Sequence, residues 1–164
     1  FFPWNDDRFN ILSETYKVWR VVKLLAGLPP DAYERNTPKD GIVDRLQVAQ
    51  YPSGAGLIEL HSDPFQVLRL VISGIMSKRG EDYQNGGAYF VDKDDNEVDV
   101  EDSFDVGDWV LYIPTMLHGV HPVDPDVAVD WTSGGGRWWF GPFCPSSDHA
   151  SVRYVGQVES RDTD

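Results

Sequence analysis

Cysteine is almost missing from this sequence. A single one, Cys144, stands among 164 residues, which excludes an intrachain disulfide framework and any zinc knuckle built from thiolates. The lone thiol is expected to pack as a small apolar side chain. Long hydrophobic runs are missing too. No stretch approaches the roughly 20 apolar residues of a bilayer-crossing helix, so no membrane partner is expected. Basic residues are scarce and scattered, with 14 Lys and Arg against 27 Asp and Glu and a formal net charge of −13. Such a surface repels phosphate backbones, so nucleic acid is not an expected partner. The opening residues FFPWNDDRFN lack a basic segment and a continuous apolar core, so no secretory leader is expected there. With the cysteine count, this points to a cytoplasmic setting.

What is present fits a globular chain: 41% hydrophobic and 13% aromatic residues can build a real core. Residues 13–26, SETYKVWRVVKLLA, carry Val18, Val21, Val22 and Leu25 at helical spacing. Ser13 is a natural cap, and Gly27 with Pro29-Pro30 a natural stop. Residues 31–43 read as a loop, so a helical cover over about 1–43 is expected. From residue 44 the signals turn to β. DRLQVAQY alternates, LIELHSDPF follows a Gly-rich turn, and VLRLVISGIM reads as a strand buried on both faces. AYFV, DWVLYIP, LHGVHPV and GRWWFGPF continue the series. The acidic run Asp92–Glu97 does not fit an EF-hand loop and reads as a solvated hairpin tip. Short strands between Gly, Asp, Asn and Pro clusters predict a mainly β sandwich or barrel over about 44–143. The tail 144–164 has no clear pattern, and no boundary divides the single domain expected over 1–164.

The segment LIELHSDPF places His61 and Asp63 on one face of an extended chain. An imidazole beside a carboxylate is either a surface pair or two ligands of a divalent metal. Of the four histidines, His118 and His121 follow the DWVLYIP strand and His149 lies in the polar tail. One histidine from the later strand, joined to His61 and Asp63, would make two imidazoles and one carboxylate. That set leaves metal positions open and suits non-haem Fe(II) oxygen chemistry. Arg137 opens the aromatic strand GRWWF. A buried guanidinium needs an anion, and its planar fork matches a carboxylate. Arg137 is therefore either the anchor of a metal-chelating 2-oxo acid or an exposed strand residue paired with an acid.

The order YPSGAGLIELHSD, NGGAYFV, GDWVLYIPTMLHGVHPV and GRWWF resembles the Fe(II)- and 2-oxoglutarate-dependent dioxygenases, especially their prolyl-hydroxylase-like branch. The resemblance covers residues 47–143. It implies a double-stranded β-helix, a cupin-like jelly-roll with one or two helices packed outside. It also implies iron ligation by His61, Asp63 and His118. His118 is preferred because LHGVHPV puts it at the ligand position, while His121 has the opposite strand parity. Arg137 matches the residue that holds the far carboxylate of 2-oxoglutarate. Tyr51 matches a tyrosine that helps hold the co-substrate in some relatives, or else it packs. The implied reaction consumes O₂ and 2-oxoglutarate, releases succinate and CO₂, and hydroxylates an unactivated carbon, with ascorbate as a reductant. Asp63 at a position that related halogenases leave small disfavours halogenation.

Two departures bear on substrate. The collagen-type prolyl hydroxylases commonly carry lysine where Arg137 stands, and DPDVAVDWTSGG lengthens the interval before it. Trp131 in that insert is either a lid or a local packing residue. A small molecule, such as an amino acid or natural-product intermediate, is the expected substrate. A peptidyl or prolyl side chain in a protein is the alternative. A cupin-type metalloprotein that does not use 2-oxoglutarate also stays open. Trp139, which shares a strand face with Arg137, is the expected pocket aromatic, with Tyr89, Trp109 and Trp138 as further candidates. Arg69 is a candidate contact for an anionic substrate group; Arg79 reads as solvated surface.

Overall fold

In the computed structural model, residues 1–159 are described. One helix, α1 (Ile11–Leu25), precedes nine strands: β1 (Arg45–Pro52), β2 (Ile58–Ser62), β3 (Val71–Ile75), β4 (Gly87–Val91), β5 (Glu97–Asp99), β6 (Trp109–Tyr112), β7 (His118–His121), β8 (Gly136–Phe143) and β9 (Gln157–Val158). They form two antiparallel sheets, one ordered β1-β8-β3-β6 and the other β5-β4-β7-β2-β9. The molecule is mainly β, as the alternation and turn spacing predict. No helix among the described residues is long and apolar enough to cross a membrane.

The helix starts two residues before its expected cap. Asn10 adopts a left-handed conformation at φ 57°. The free N–H groups of Leu12 and Ser13 donate to the Asp7 carboxylate at 3.2 and 2.8 Å. A carboxylate at a helix N-terminus satisfies orphan donors and opposes the helix dipole, so Asp7 performs the task expected of Ser13. The stop is as expected. Gly27 takes φ +81°, and Leu28 N–H returns to Lys23 O at 2.9 Å, closing the last turn.

Trp19 and Val22 of α1 pack on Leu68, Val71, Ile72 and Cys144, so the helix covers the β3 side of the four-stranded sheet. A second cluster joins Tyr51, Tyr83, Val120, Val123 and Trp139 across both sheets. The strand expected over VLRLVISGIM is shorter, because residues 65–67 form a turn, residues 68–70 are irregular and only Val71–Ile75 pair. The acidic run is a hairpin tip: β4 pairs with β5, and Asp92 accepts the N–H groups of Asp94 and Asn96. The tail contributes β9, which pairs with β2 through His61 and Ser62. The rest of that expectation, residues 160–164, lies outside the described residues.

Candidate metal centre

His61 near the end of β2 and His118 at the start of β7 are direct cross-strand partners. Opposed residues of an antiparallel pair project from the same face, and the two imidazoles lie with ring centroids 4.3 Å apart. Asp63 follows the last residue of β2, its N–H fixed to Pro114 O at 2.8 Å. Asp63 Oδ2 lies 3.7 Å from His118 Nε2 and Oδ1 lies 4.0 Å from His61 Nε2. One ligand atom from each residue falls within 4.8 Å of the others. All three side chains are half-buried rather than solvated, with 13–24% of their surface exposed.

Hydrogen bonding decides which nitrogens face the carboxylate. His61 Nδ1 lies 2.8 Å from Glu59 O, and His118 Nδ1 lies 2.8 Å from Met116 O. A carbonyl oxygen only accepts, so each Nδ1 carries the proton and each Nε2 presents a lone pair. Such backbone bonds orient imidazoles for a metal. Burial pulls the His118 pKa below its ordinary value, and neighbouring His61 adds to the effect against the pull of the Met116 carbonyl and Asp63. Two imidazoles and a carboxylate fit a divalent first-row metal with positions left free.

The triad lies in the wall of a cavity of about 340 Å³. Tyr51, Tyr89, Phe90, Tyr112, Trp139 and Phe143 give it an aromatic lining. Tyr112 Oη approaches His118 Nε2 at 3.4 Å, and the Phe90 ring lies 5.7 Å from the His118 ring. Tyr112 was not among the expected site residues. Its signal was its place in DWVLYIP, on the strand leading to His118.

Arg137 lines the same cavity and is 5% exposed. The surface alternative for Arg137 therefore does not hold. Its burial nevertheless has an internal explanation, because its Nε donates to Glu101 Oε1 at 2.8 Å. Glu101, itself 5% exposed, also accepts from the Tyr83 hydroxyl and from Ala88 N–H. A backbone at φ +122° and the missing side chain of Gly87 admit this carboxylate, since a Cβ there would come 2.7 Å from Glu101 Cγ. An external anion is thus not required to justify the buried charge, which corrects the expectation drawn from burial alone. Tyr51 is the cross-strand partner of Arg137. Its ring lies 5.6 Å from the guanidinium carbon, and burial raises its pKa.

Other expected residues divide. Trp139 is buried in the cavity wall. Trp131 is 75% exposed and outside the cavity lining, so the lid reading has no support here. Arg69 lines a separate open hollow with Leu25, Phe65 and Ile113, which removes it from this site. Trp109 stacks edge-on against Phe140 and Trp138 Nε1 donates to Gly134 O, both outside the cavity. Arg79 is bound to Asp99 and Asp102. His121 stacks on Tyr89 and lies 3.3 Å from Glu97, away from the triad. Cys144 is buried, with its thiol donating to Asp44 Oδ1 at 3.3 Å. Comparison with protein-family models, curated proteins and solved structures finds no match to this chain.

Proposed function

We propose that this protein is a non-haem Fe(II)- and 2-oxoglutarate-dependent oxygenase that hydroxylates an unactivated carbon of a small molecule. The observation that carries the reading is the meeting of His61, Asp63 and His118 in a cavity wall, with both Nδ1 atoms tied to carbonyls. The sheet orders support the finer fold reading. Strands β1, β8, β3 and β6 face β5, β4, β7 and β2, the interleaving of a jelly-roll wound from two Greek keys. When bound, the metal and its 2-oxo acid supply O₂ activation driven by oxidative decarboxylation.

The chain's own residues supply position and exclusion of water. His61, Asp63 and His118 are the residues that would hold the metal, and three protein ligands would leave it positions for the co-substrate and O₂. Glu101 fixes Arg137 through Nε, so the guanidinium plane is set and its terminal nitrogens are available to the far carboxylate of the diacid. The Tyr51 ring lies beside the guanidinium, 5.6 Å from its carbon, within cation–π reach. The aromatic lining keeps the reacting carbon in a low-dielectric space where competing hydrolysis is suppressed.

The second reading, a cupin-type metalloprotein without a 2-oxo acid, draws on the internal Arg137–Glu101 pair. One experiment separates the two. Anaerobic titration of the Fe(II)-loaded chain with 2-oxoglutarate, followed by aerobic assay of succinate with a panel of carboxylic acids and amino acids, is expected to show saturable binding and succinate release. In Arg137→Ala, binding weakens by tenfold or more. Metal binding with no 2-oxoglutarate affinity selects the cupin-type reading.

A further inference from the structure

The inward face of β1 has an unusual composition. Arg45, Gln47, Ala49 and Tyr51 alternate along it, and Arg45, Gln47 and Tyr51 line the cavity. Arg45 is the anomaly. Among the described residues its buried Nε has no hydrogen-bond partner. Burial lowers its pKa, and no carboxylate among the described residues opposes the shift. The adjacent Asp44 offers nothing, because its carboxylate is held by Lys23 at 2.6 Å and by the Cys144 thiol. The other cavity guanidinium, Arg137, already has Glu101. A half-buried cation without an anion costs folding energy, and such a cost persists at sites where a ligand removes it.

Its place in the cavity separates it from the co-substrate. On β8, Arg45 stands opposite Phe143, whereas Tyr51 stands opposite Arg137. The two guanidiniums thus belong to opposite ends of one strand pair, with backbones about 20 Å apart at strand spacing. A five-carbon diacid anchored at Arg137 spans less than half of that. The Phe143 ring lies 5.8 Å from the Arg45 guanidinium carbon, within cation–π reach. The tail closes this end: Ser146, Tyr154 and Gly156 join the lining, and a Cβ at Gly156 would lie 3.9 Å from Asp63 Oδ1.

We propose that Arg45 recognises the substrate, and that the substrate is a carboxylic acid whose carboxylate pairs with this guanidinium while its hydrocarbon part lies along the aromatic wall. The separation of substrate from co-substrate rests on the oxygenase reading; the carboxylate preference of the cavity does not. The test uses 3-phenylpropionate and its neutral isostere 3-phenylpropionamide as probes, titrated calorimetrically into the metal-free and the Mn(II)-loaded chain. The carboxylate is expected to bind at least about tenfold more tightly than the amide, the size of one charge-assisted hydrogen bond. Arg45→Met is expected to abolish that preference, to leave 2-oxoglutarate affinity within twofold, and to melt no lower than the parent. Where Arg45→Met does not fold, Arg45→Lys keeps the charge without the fork, and the preference falls several-fold. Equal binding of acid and amide by the parent chain overturns the proposal, as does an Arg45→Met variant that loses 2-oxoglutarate affinity along with the preference. Failure of His61, Asp63 and His118 to hold metal removes the oxygenase reading, yet leaves the preference of the metal-free chain measurable.

Discussion

At the scale of single residues, the paired ions in the cavity wall carry unequal consequences. Glu101 is the sole carboxylate paired with Arg137 among the described residues, and it also takes the Tyr83 hydroxyl and Ala88 N–H. Glu101→Gln leaves the guanidinium without a charge partner in a buried setting, a loss of about 3–5 kcal/mol. In a domain of this size the thermal midpoint falls by roughly 10 °C. The double variant Glu101→Leu/Arg137→Met restores most of it, because an apolar pair avoids the desolvation of both ions. Differential scanning calorimetry of the three chains checks this, and a double variant no better than the single one counts against it. Glu101 was invisible in the sequence because it sits in an acidic stretch where solvated carboxylates are the rule. His61, Asp63 and His118 were legible because a strand's two-residue period and the order of the strands carry them. Arg45 was present in DRLQVAQY all along, but alternation alone does not say which face is inward.

At the scale of elements, α1 is tied to the sheet by an ion pair rather than by apolar packing alone. Lys23 is fully buried and donates to Asp44, just before β1. Burial holds the Asp44 carboxyl above its usual range even with Lys23 donating to it. Lys23→Ala leaves that carboxylate unpaired and costs about 3–5 kcal/mol at neutral pH. The sign of the pH dependence follows from linkage. An acid whose folded pKa lies above its unfolded value binds its proton more tightly in the native chain, so stability is lost as pH rises through that window. The gap in thermal midpoint between Lys23→Ala and the parent is therefore expected to be smaller at pH 5 than at pH 7.5. A gap that widens on acidification contradicts the pairing. Helical spacing placed the helix within two residues. Its buried lysine was not legible, since lysine on a helix normally solvates its head. The strand β3 was legible but its shortness was not, because residues 67–70 are apolar enough to pass for strand, and Leu68 is buried from the irregular segment before it.

At the scale of the whole molecule, the triad bridges what the chain must hold together. His61 and Asp63 belong to the β2 end, His118 to β7, and β9 closes on β2 through His61. A metal bound there stabilises the folded chain by mass action, by about 2.7 kcal/mol at a hundredfold excess over its dissociation constant. The expected rise in thermal midpoint with Mn(II) is then roughly 5–10 °C. His61→Ala and Asp63→Ala each remove most of it, while His121→Ala, whose ring stacks on Tyr89 outside the triad, leaves it unchanged. Protons compete for the same lone pairs. Burial lowers the His118 pKa from its ordinary value, which favours an open Nε2 and makes its protonation require more acid. The metal-induced rise is accordingly expected to be full at pH 7.5 and to shrink as the pH is lowered below about 6, within the ordinary reach of histidine. Scanning the shift between pH 5 and 8 for the parent and the three alanine variants decides it. A rise that survives His61→Ala, or that grows on acidification, places the metal elsewhere on this acidic surface.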